Sequence, residues 1–292
     1  MSDNAIDFSE NEPMANHTTF KIGGGAAVMV FPKEEREVQS VVKYCTENNI
    51  RLLPLGNGSN MLVSDDGVNA CVVSFEKNFN KIELVDSTTI FAQSGAPLVR
   101  VCRFALENSL TGLEFAFGIP GSCGGAAFMN AGAYGGEMKQ VMPKCCHVNL
   151  DGTNGALEGE ALNLSYRHSA YGDNGAIITG VYFKLQKGDK SEIKAKMDDF
   201  MARRKEKQPL EYPSAGSFFK RPTGYFAGAL IEECNLKGKT IGGAQVSEKH
   251  AGFIINIGGA TFKDVMALSD YCSAVVLKEK GVKLEREVRV IE

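Results

Sequence analysis

Apolar residues recur at two spacings along this chain, and the alternation between them lays out the elements. Val38, Val41, Val42 and Cys45 fall at helical spacing after Pro32, so a helix is expected there. Leu98, Val101, Cys102 and Ala105 share one face of a second helix over Pro97–Leu110, with Gly112 just past its end. Short apolar runs bounded by polar turns read as strands: Ala26–Phe31, Arg51–Leu55, Cys71–Phe75, Lys81–Val85, Thr89–Ser94 and Ala176–Leu185. Lys144–Leu150 and Leu157–Leu164 flank Asn154-Gly155, a strong hairpin signal. Residues 1–17 are polar and read as a flexible N-terminus.

The texture then changes. Lys190–Lys207 reads as a charged amphipathic helix with Ile193, Met197, Phe200 and Met201 on its buried face, and Pro209 and Pro213 end it. The main domain boundary is expected here. Beyond it come a loop over Ser214–Pro222, a helix near Ala227–Cys234 and a strand over Gly252–Asn256. A helix near Phe262–Glu279 follows, with Thr261 as its cap, and then an alternating strand, Val282–Ile291. Strands come in runs rather than in regular alternation with helices. The expected class is therefore α+β, mixed in the first two-thirds with a smaller α+β unit at the end.

Composition adds limits. A chain of 292 residues has room for about two domains and a core that needs no staples. The net charge of -3 offers no basic field for nucleic acid or an anionic membrane surface. An anionic small molecule would have to be held by local cations. The N-terminus has no apolar signal core, and no run reaches the length of a membrane span. The eight cysteines (Cys45, Cys71, Cys102, Cys123, Cys145, Cys146, Cys234 and Cys272) form no CxxC and sit in apolar stretches. They read as reduced, buried thiols rather than a disulfide scaffold or a metal site, in a cytoplasmic compartment. Oligomeric state stays open.

Two glycine-rich loops carry the candidate chemistry. Gly56-Asn57-Gly58-Ser59-Asn60 follows a strand, but Met61 stands where a dinucleotide fingerprint needs its third glycine. Gly238-Lys239-Thr240 resembles the end of a P-loop, but the first glycine of that motif would fall at Glu233. The second loop holds seven glycines between positions 118 and 136. Glycine lets backbone N–H groups close on an anion and permits the positive φ of a concave nest, so a pyrophosphate is a natural occupant. Taken singly, each loop reads first as an ordinary turn or a close packing of helix on sheet; the two together, with Ser and Asn donors, bring the anion-binding reading level with it.

The residues that carry a family resemblance run almost the length of the chain. They begin with Thr19-Phe20-Lys21-Ile22-Gly23-Gly24, the two glycine loops, and Leu164-Ser165-Tyr166-Arg167. Gly216-Ser217-Phe218-Phe219-Lys220 and Ala227-Gly228-Ala229-Leu230-Ile231 follow. The last are Gly242-Gly243, Val246-Ser247 with His250-Ala251-Gly252, and Glu287-Val288-Arg289. In this order they resemble the UDP-N-acetylenolpyruvoylglucosamine reductase family, also called UDP-N-acetylmuramate dehydrogenases. The resemblance implies an FAD-binding region of the vanillyl-alcohol-oxidase (PCMH) type in two subdomains, 18–75 and 76–207, and a substrate-binding domain over 208–292.

What the resemblance implies for chemistry is specific. FAD is bound noncovalently by Gly56, Asn57, Gly58, Ser59, Asn60 and Met61 of the first loop. The second contributes Gly118, Ile119, Pro120, Gly121, Ser122, Gly124, Gly125, Asn130, Ala133 and Tyr134. NADPH gives a hydride to FAD, which passes it to the enolpyruvyl ether of a UDP-sugar, a step in peptidoglycan precursor synthesis. Arg167, Ser217 and Glu287 match the catalytic positions: a fixed cation for the substrate carboxylate, a proton donor, and a partner that orients substrate or stabilises the enol.

The chain also departs from the family pattern. Arg167 and Ser217 stand fifty positions apart, with no room for the inserted tyrosine loop of some members, so the short subtype is implied. Arg221 stands where many relatives carry Asn, which shifts the expected substrate contact from an amide to a cation on a phosphate. Lys207, before Gln208-Pro209, matches a substrate-binding lysine at altered spacing. Two other readings remain: an oxidase or dehydrogenase on the same flavin fold, and a phosphate-binding regulatory protein without catalysis.

Overall fold

The computed structural model describes residues 6–292. Among them the α-helices are α1 (Glu35–Glu47), α2 (Leu98–Glu107), α3 (Cys123–Phe128), α4 (Tyr171–Asn174), α5 (Lys190–Lys207), α6 (Ala227–Glu233) and α7 (Phe262–Lys280). The chain packs into two compact units that interleave in sequence. One gathers the described residues up to Glu10 with Val28–Asn57 and Asn69–Arg204; the other gathers Asn11–Ala27, Gly58–Val68 and Lys205–Glu292. A division into contiguous segments does not describe this arrangement, because two short N-terminal stretches pack with the C-terminal third.

The first unit is built on an antiparallel five-stranded sheet. Its order is Asn154–Glu158, Lys144–Val148, Ile177–Lys184, Thr89–Gln93 and Ile82–Leu84. The apolar faces of α2 and α3 cover it, so that Leu98, Val101, Cys102, Cys123 and Ala127 join Val181 and Phe183 in one core. A parallel pairing of Leu52–Leu55 with Cys71–Ser74 supports α1, whose Val38, Val41, Val42 and Cys45 are all buried as their spacing predicted. Cys145 and Cys146 are consecutive on one strand, the first buried and the second half-buried, as alternation along a strand requires.

The second unit carries an antiparallel sheet in the order Ser214–Ser217, Phe253–Asn256, Ala244–Val246 and Thr240–Ile241. Helices α6 and α7 bury Leu230, Ile231, Val265, Leu268 and Cys272 with Phe218 and Ile254. Thr261 caps α7 as expected: its Oγ accepts from Asp264 N at 3.1 Å, and Asp264 accepts in return from Thr261 N at 3.0 Å.

Four expectations are corrected. The stretch read as a flexible N-terminus forms the strand Phe8–Pro13 and the 3-10 turn Met14–His17; its first five residues lie outside the described ones. Met14 is wholly buried and donates to Gly24 O at 2.9 Å, an anchorage that polar composition conceals. Asn154-Gly155 lies inside a strand, opposite Val148 and His147. The reversal is made instead at Asp151-Gly152, where Asp151 Oδ1 accepts from Thr153 N at 2.9 Å and Gly152 takes φ +82°. The Ser214–Pro222 loop begins as a strand. The alternating stretch Val282–Ile291 is a strand only over Arg289–Ile291, where it runs parallel to Met61–Val63; the partner strand is three residues long, so pairing stops with it.

Candidate active site

In the first unit, Gly56 and Asn57 follow the strand Leu52–Leu55 and meet the loop before α3. A Cβ on Gly56 would lie 2.1 Å from Ser122 Oγ, so only glycine allows the approach. Ser122 caps α3 by accepting from Gly125 N at 3.3 Å. The same loop is tied down by Leu98 N to Gly121 O at 2.9 Å and Gly124 N to Ser94 O at 2.8 Å. A Cβ on Gly124 would fall 2.7 Å from Ser94 Cβ. Pro120 and Gly125 face solvent, and Ile119 packs partly on the core.

Two serines missed at the sequence level join this cradle. Ser74 ends the strand paired with Leu55, and Ser94 follows Thr89–Gln93; Gly95 packs directly on the Phe75 carbonyl, which brings the two strand ends together. The hydroxyls of Ser74 and Ser94 are buried and have no hydrogen-bond partner among the described residues. Buried hydroxyls without partners cost stability unless something accepts from them. Beside two glycine-walled loops they suit a group rich in oxygen acceptors, such as a pyrophosphate, and the cradle therefore fits FAD.

The glycine segment differs from expectation in how it turns. Gly118, Gly121, Gly124 and Gly125 do not take positive φ, so their value is the missing Cβ and not the left-handed conformation. The left-handed positions are Asn130 (φ +41°), Tyr134 (φ +53°) and Gly135 (φ +84°). The last two form the tip of a hairpin between Gly132–Ala133 and Gly136–Glu137, where positive φ at both central residues matches the twist of the strands. Tyr134 is 39% exposed and stacks on Phe200 of α5 at 4.7 Å and 1°. Arg204, also on α5, lies against Tyr134 and so close to Gly118 that a Cβ there would meet its Nε at 2.6 Å.

Asn130 lies inside the loop. It is wholly buried, and its amide is committed within the protein: Nδ2 donates to Glu137 Oε2 at 3.1 Å and to Ser165 O at 2.9 Å, and Oδ1 accepts from Lys139 N at 2.8 Å. Its amide organises the loop. The Ser165 bond ties the glycine segment to the turn that carries Arg167. In that turn Ser165 and His168 exchange main-chain bonds at 3.2 Å, and Arg167 holds φ +56°. A left-handed arginine costs about 1–2 kcal/mol relative to an ordinary conformation, and such strain gathers at functional positions. The guanidinium donates to Gly132 O at 3.4 Å and packs 5.0 Å from the Tyr166 ring centre.

In the second unit, Gly58 takes φ +56°, and a Cβ there would sit 2.1 Å from His17 O. Ser59 and Asn60 are half-buried, and Met61 is a buried residue of the strand that pairs with Arg289–Ile291. Asn60 Nδ2 donates to Glu287 O at 3.2 Å, and Arg289 N donates to Asn60 O at 3.0 Å. The first glycine loop therefore fixes the backbone of Glu287.

Ser217 stands exposed at the end of its strand, after a bulge at Gly216 (φ +78°). Thr19 Oγ donates to Ser214 O at 2.6 Å and anchors the start of that strand. Glu287 N donates to Phe218 O at 2.9 Å, and Phe219 bridges Arg286. The structure thus brings Ser217 and Glu287 onto adjoining chain segments although seventy positions separate them. Lys207 is exposed at the end of α5, and the exposed Arg221 packs 4.4 Å from the centre of the Phe226 ring. No helix among the described residues is long and apolar enough to cross a membrane.

Comparison with known proteins covers both parts. A family model described as the C-terminal domain of UDP-N-acetylenolpyruvoylglucosamine reductase matches residues 208–291, and one described as an FAD binding domain matches 26–149. The chain is 49% identical over 285 residues to the UDP-N-acetylenolpyruvoylglucosamine reductase of Clostridium novyi, covering 98% of this chain and 92% of that one. It is 46% identical to the enzyme of the same name from Limosilactobacillus fermentum, covering 98% and 95%. Among solved structures, that of the corresponding reductase from Thermus caldophilus superposes with a TM-score of 0.84 at 33% identity over 99% of both chains.

Proposed function

The chain belongs to the UDP-N-acetylenolpyruvoylglucosamine reductase family, and from that premise we propose how its own residues divide the work. It is an FAD-dependent oxidoreductase that reduces the enolpyruvyl group of UDP-N-acetylglucosamine enolpyruvate, in the synthesis of peptidoglycan precursors. The glycine-walled cradle with Ser74 and Ser94 would hold FAD, which when bound would supply the hydride chemistry between NADPH and the enolpyruvyl group.

The protein's residues handle charge and protons. When the terminal carbon gains the hydride, the C=C π pair moves onto the neighbouring carbon and into the carboxylate. Arg167 holds that carboxylate, where a cation fixed by its turn is worth most as charge builds. Ser217 gives its proton to the neighbouring carbon; a hydroxyl suffices because the enolate-like intermediate is a strong base. Glu287, fixed through Asn60 and Phe218, orients the substrate or stabilises the enol. The placement of Ser217 beside Glu287 supports the assignment. Lys207 and Arg221 hold the UDP-sugar. The eight free thiols suit a reducing compartment, and we place the reaction in the cytoplasm, on small molecules and not on nucleic acid.

Purified protein should be yellow, release FAD on denaturation, and oxidise NADPH only when the enolpyruvyl UDP-sugar is present. Rapid NADPH oxidation by oxygen without the UDP-sugar would favour the oxidase reading. A colourless protein that takes up no FAD would remove the flavin assignment. Gly56→Ala should displace Ser122 from its capping position and raise the FAD Kd about tenfold, read by flavin fluorescence. An unchanged Kd would take the Gly56–Ser122 contact out of the cofactor cradle. Arg221→Ala should raise KM for the UDP-sugar about 10- to 100-fold with little change in kcat, the loss expected when a charged hydrogen bond to phosphate is removed. An unchanged KM would remove Arg221 from the site.

A further inference from the structure

His250 has no part in the chemistry above, yet its imidazole sits inside the loop that holds the Ser217 strand. Ser247 is buried, and its Oγ accepts from Lys249 N at 3.2 Å and His250 N at 3.3 Å. The loop is closed by Ser247 N to Phe253 O at 2.9 Å and Phe253 N to His250 O at 3.0 Å. Within it, Gly252 N donates to His250 Nδ1 at 3.0 Å. Gly252 O in turn accepts from Phe218 N at 2.8 Å, and Phe218 O accepts from Glu287 N at 2.9 Å. Two hydrogen bonds through Gly252 therefore connect the imidazole to the residue that follows Ser217, and a third reaches Glu287.

Two glycines make room for the ring. A Cβ on Gly252 would lie 2.9 Å from His250 Cε1, and one on Gly228 of α6 would lie 3.3 Å from the same atom. The remaining edge meets Phe253 at 5.0 Å and 68°. This account absorbs the Ala227-Gly228 and His250-Ala251-Gly252 motifs, which the cofactor and the reaction leave unexplained.

We propose that His250 is a positioning residue for Ser217, and that it acts only as the neutral imidazole. The proposal rests on the reading of Ser217 as proton donor. A backbone N–H can only donate, so Nδ1 must carry a lone pair, which fixes the protonation state without any choice of tautomer. Protonation would set an N–H against an N–H and release Gly252, and with it the Phe218 main chain. A shift of about 1 Å in a catalytic group costs about a hundredfold in rate.

The surroundings favour the neutral form. Burial holds the imidazole below the usual histidine range; a backbone hydrogen bond at His250 itself and Glu232 on α6 oppose this, and Lys237 acts with it. On its own loop, Lys249 is engaged with Lys205 O and Glu211, and Glu248 lies by Gly238. A histidine with a lowered folded-state pKa loses stabilisation as pH falls from the unfolded value through the folded one. The loop should therefore loosen on the acid side of the ordinary histidine range, and keep its shape above it.

The test compares His250→Asn with His250→Leu in the FAD-loaded enzyme. Asparagine can accept from the N–H two residues on, as in an Asx turn, and does not titrate. Leucine fills space without accepting. Turnover with the enolpyruvyl UDP-sugar should fall about 10- to 100-fold in the leucine variant, while flavin reduction by NADPH changes by less than about twofold. The asparagine variant should recover most of the loss. It should also lack the acid-side fall in kcat that the unsubstituted enzyme shows below the histidine range. An asparagine variant that keeps that acid limb would overturn the proposal, even if the leucine variant failed to fold. So would a leucine variant that turns over normally, or one that slows both half-reactions alike. Should Ser217→Ala also turn over normally, the proton-donor reading falls; if only the His250 variants are silent, the positioning role falls alone.

Discussion

Replacing Ser217 with alanine is expected to cut turnover of the enolpyruvyl UDP-sugar by about 10²–10⁴-fold, the span for losing a positioned acid. FAD should stay bound, and its reduction by NADPH should run near the normal rate, because protonation follows hydride delivery to the substrate. The fold gives no reason for a general collapse. Ser217 is exposed, and its strand is held by main-chain bonds from Phe218 to Gly252 and from Glu287 to Phe218, which alanine leaves intact. A surface change of this kind shifts stability by about 0.5 kcal/mol or less. Ser217→Cys should recover part of the lost rate, since a thiol can also give a proton. With deuterated NADPH the label should reach the terminal carbon of the lactyl group, and in heavy water the neighbouring carbon. Stopped-flow absorbance separates the two half-reactions. Normal turnover in Ser217→Ala, or a loss confined to flavin reduction, would move the acid elsewhere, with Glu287 the next candidate.

The helices were legible because each rests on one local rule. A period near four residues predicted the buried faces of α1 and α2, and Thr261 with Asp264 marked the start of α7. The hairpin turns at Asp151-Gly152 for a reason that is not local: two dipeptides of similar turn strength lie three positions apart, and the register of Lys144–Val148 against Asn154–Glu158 places the reversal at the first. Val282–Ile291 shows that alternation alone does not make a strand, since a partner of matching length is also needed. The interleaving of the two units was illegible, because it rests on contacts of the segments Asn11–Ala27 and Gly58–Val68 with residues about two hundred positions away, such as Thr19 with Ser214 and Asn60 with Glu287.

The candidate site divides in the same way. Glycines mark places where a Cβ cannot fit, and the sequence pointed to Gly56, Gly58 and Gly124 for that reason. It could not say that the left-handed work would fall to Asn130, Tyr134 and Arg167, which carry no glycine signal. The sequence also could not show that the Asn130 amide makes three internal bonds and joins that loop to the Arg167 turn. Ser74, Ser94 and His250 emerge only when distant strand ends and loops are brought together.

Arg167→Asn should separate function from folding. Asparagine tolerates the left-handed conformation better than arginine, so the φ of +56° becomes easier to hold. The turn itself is held by the main-chain exchange between Ser165 and His168 and by Asn130, none of which needs the guanidinium. The midpoint of urea unfolding should therefore stay level or rise slightly. Catalysis should respond in the opposite sense. A neutral amide cannot offset the charge that develops on the enolpyruvyl carboxylate, and removal of one such fixed donor typically lowers kcat about 10²–10³-fold. Arg167→Lys keeps the charge but loses the planar fork that meets both carboxylate oxygens, so it should fall between the two. An arginine kept for folding alone would lose stability first and rate only in proportion. Equal loss of both in Arg167→Asn, or a normal kcat, would return Arg167 to a structural role.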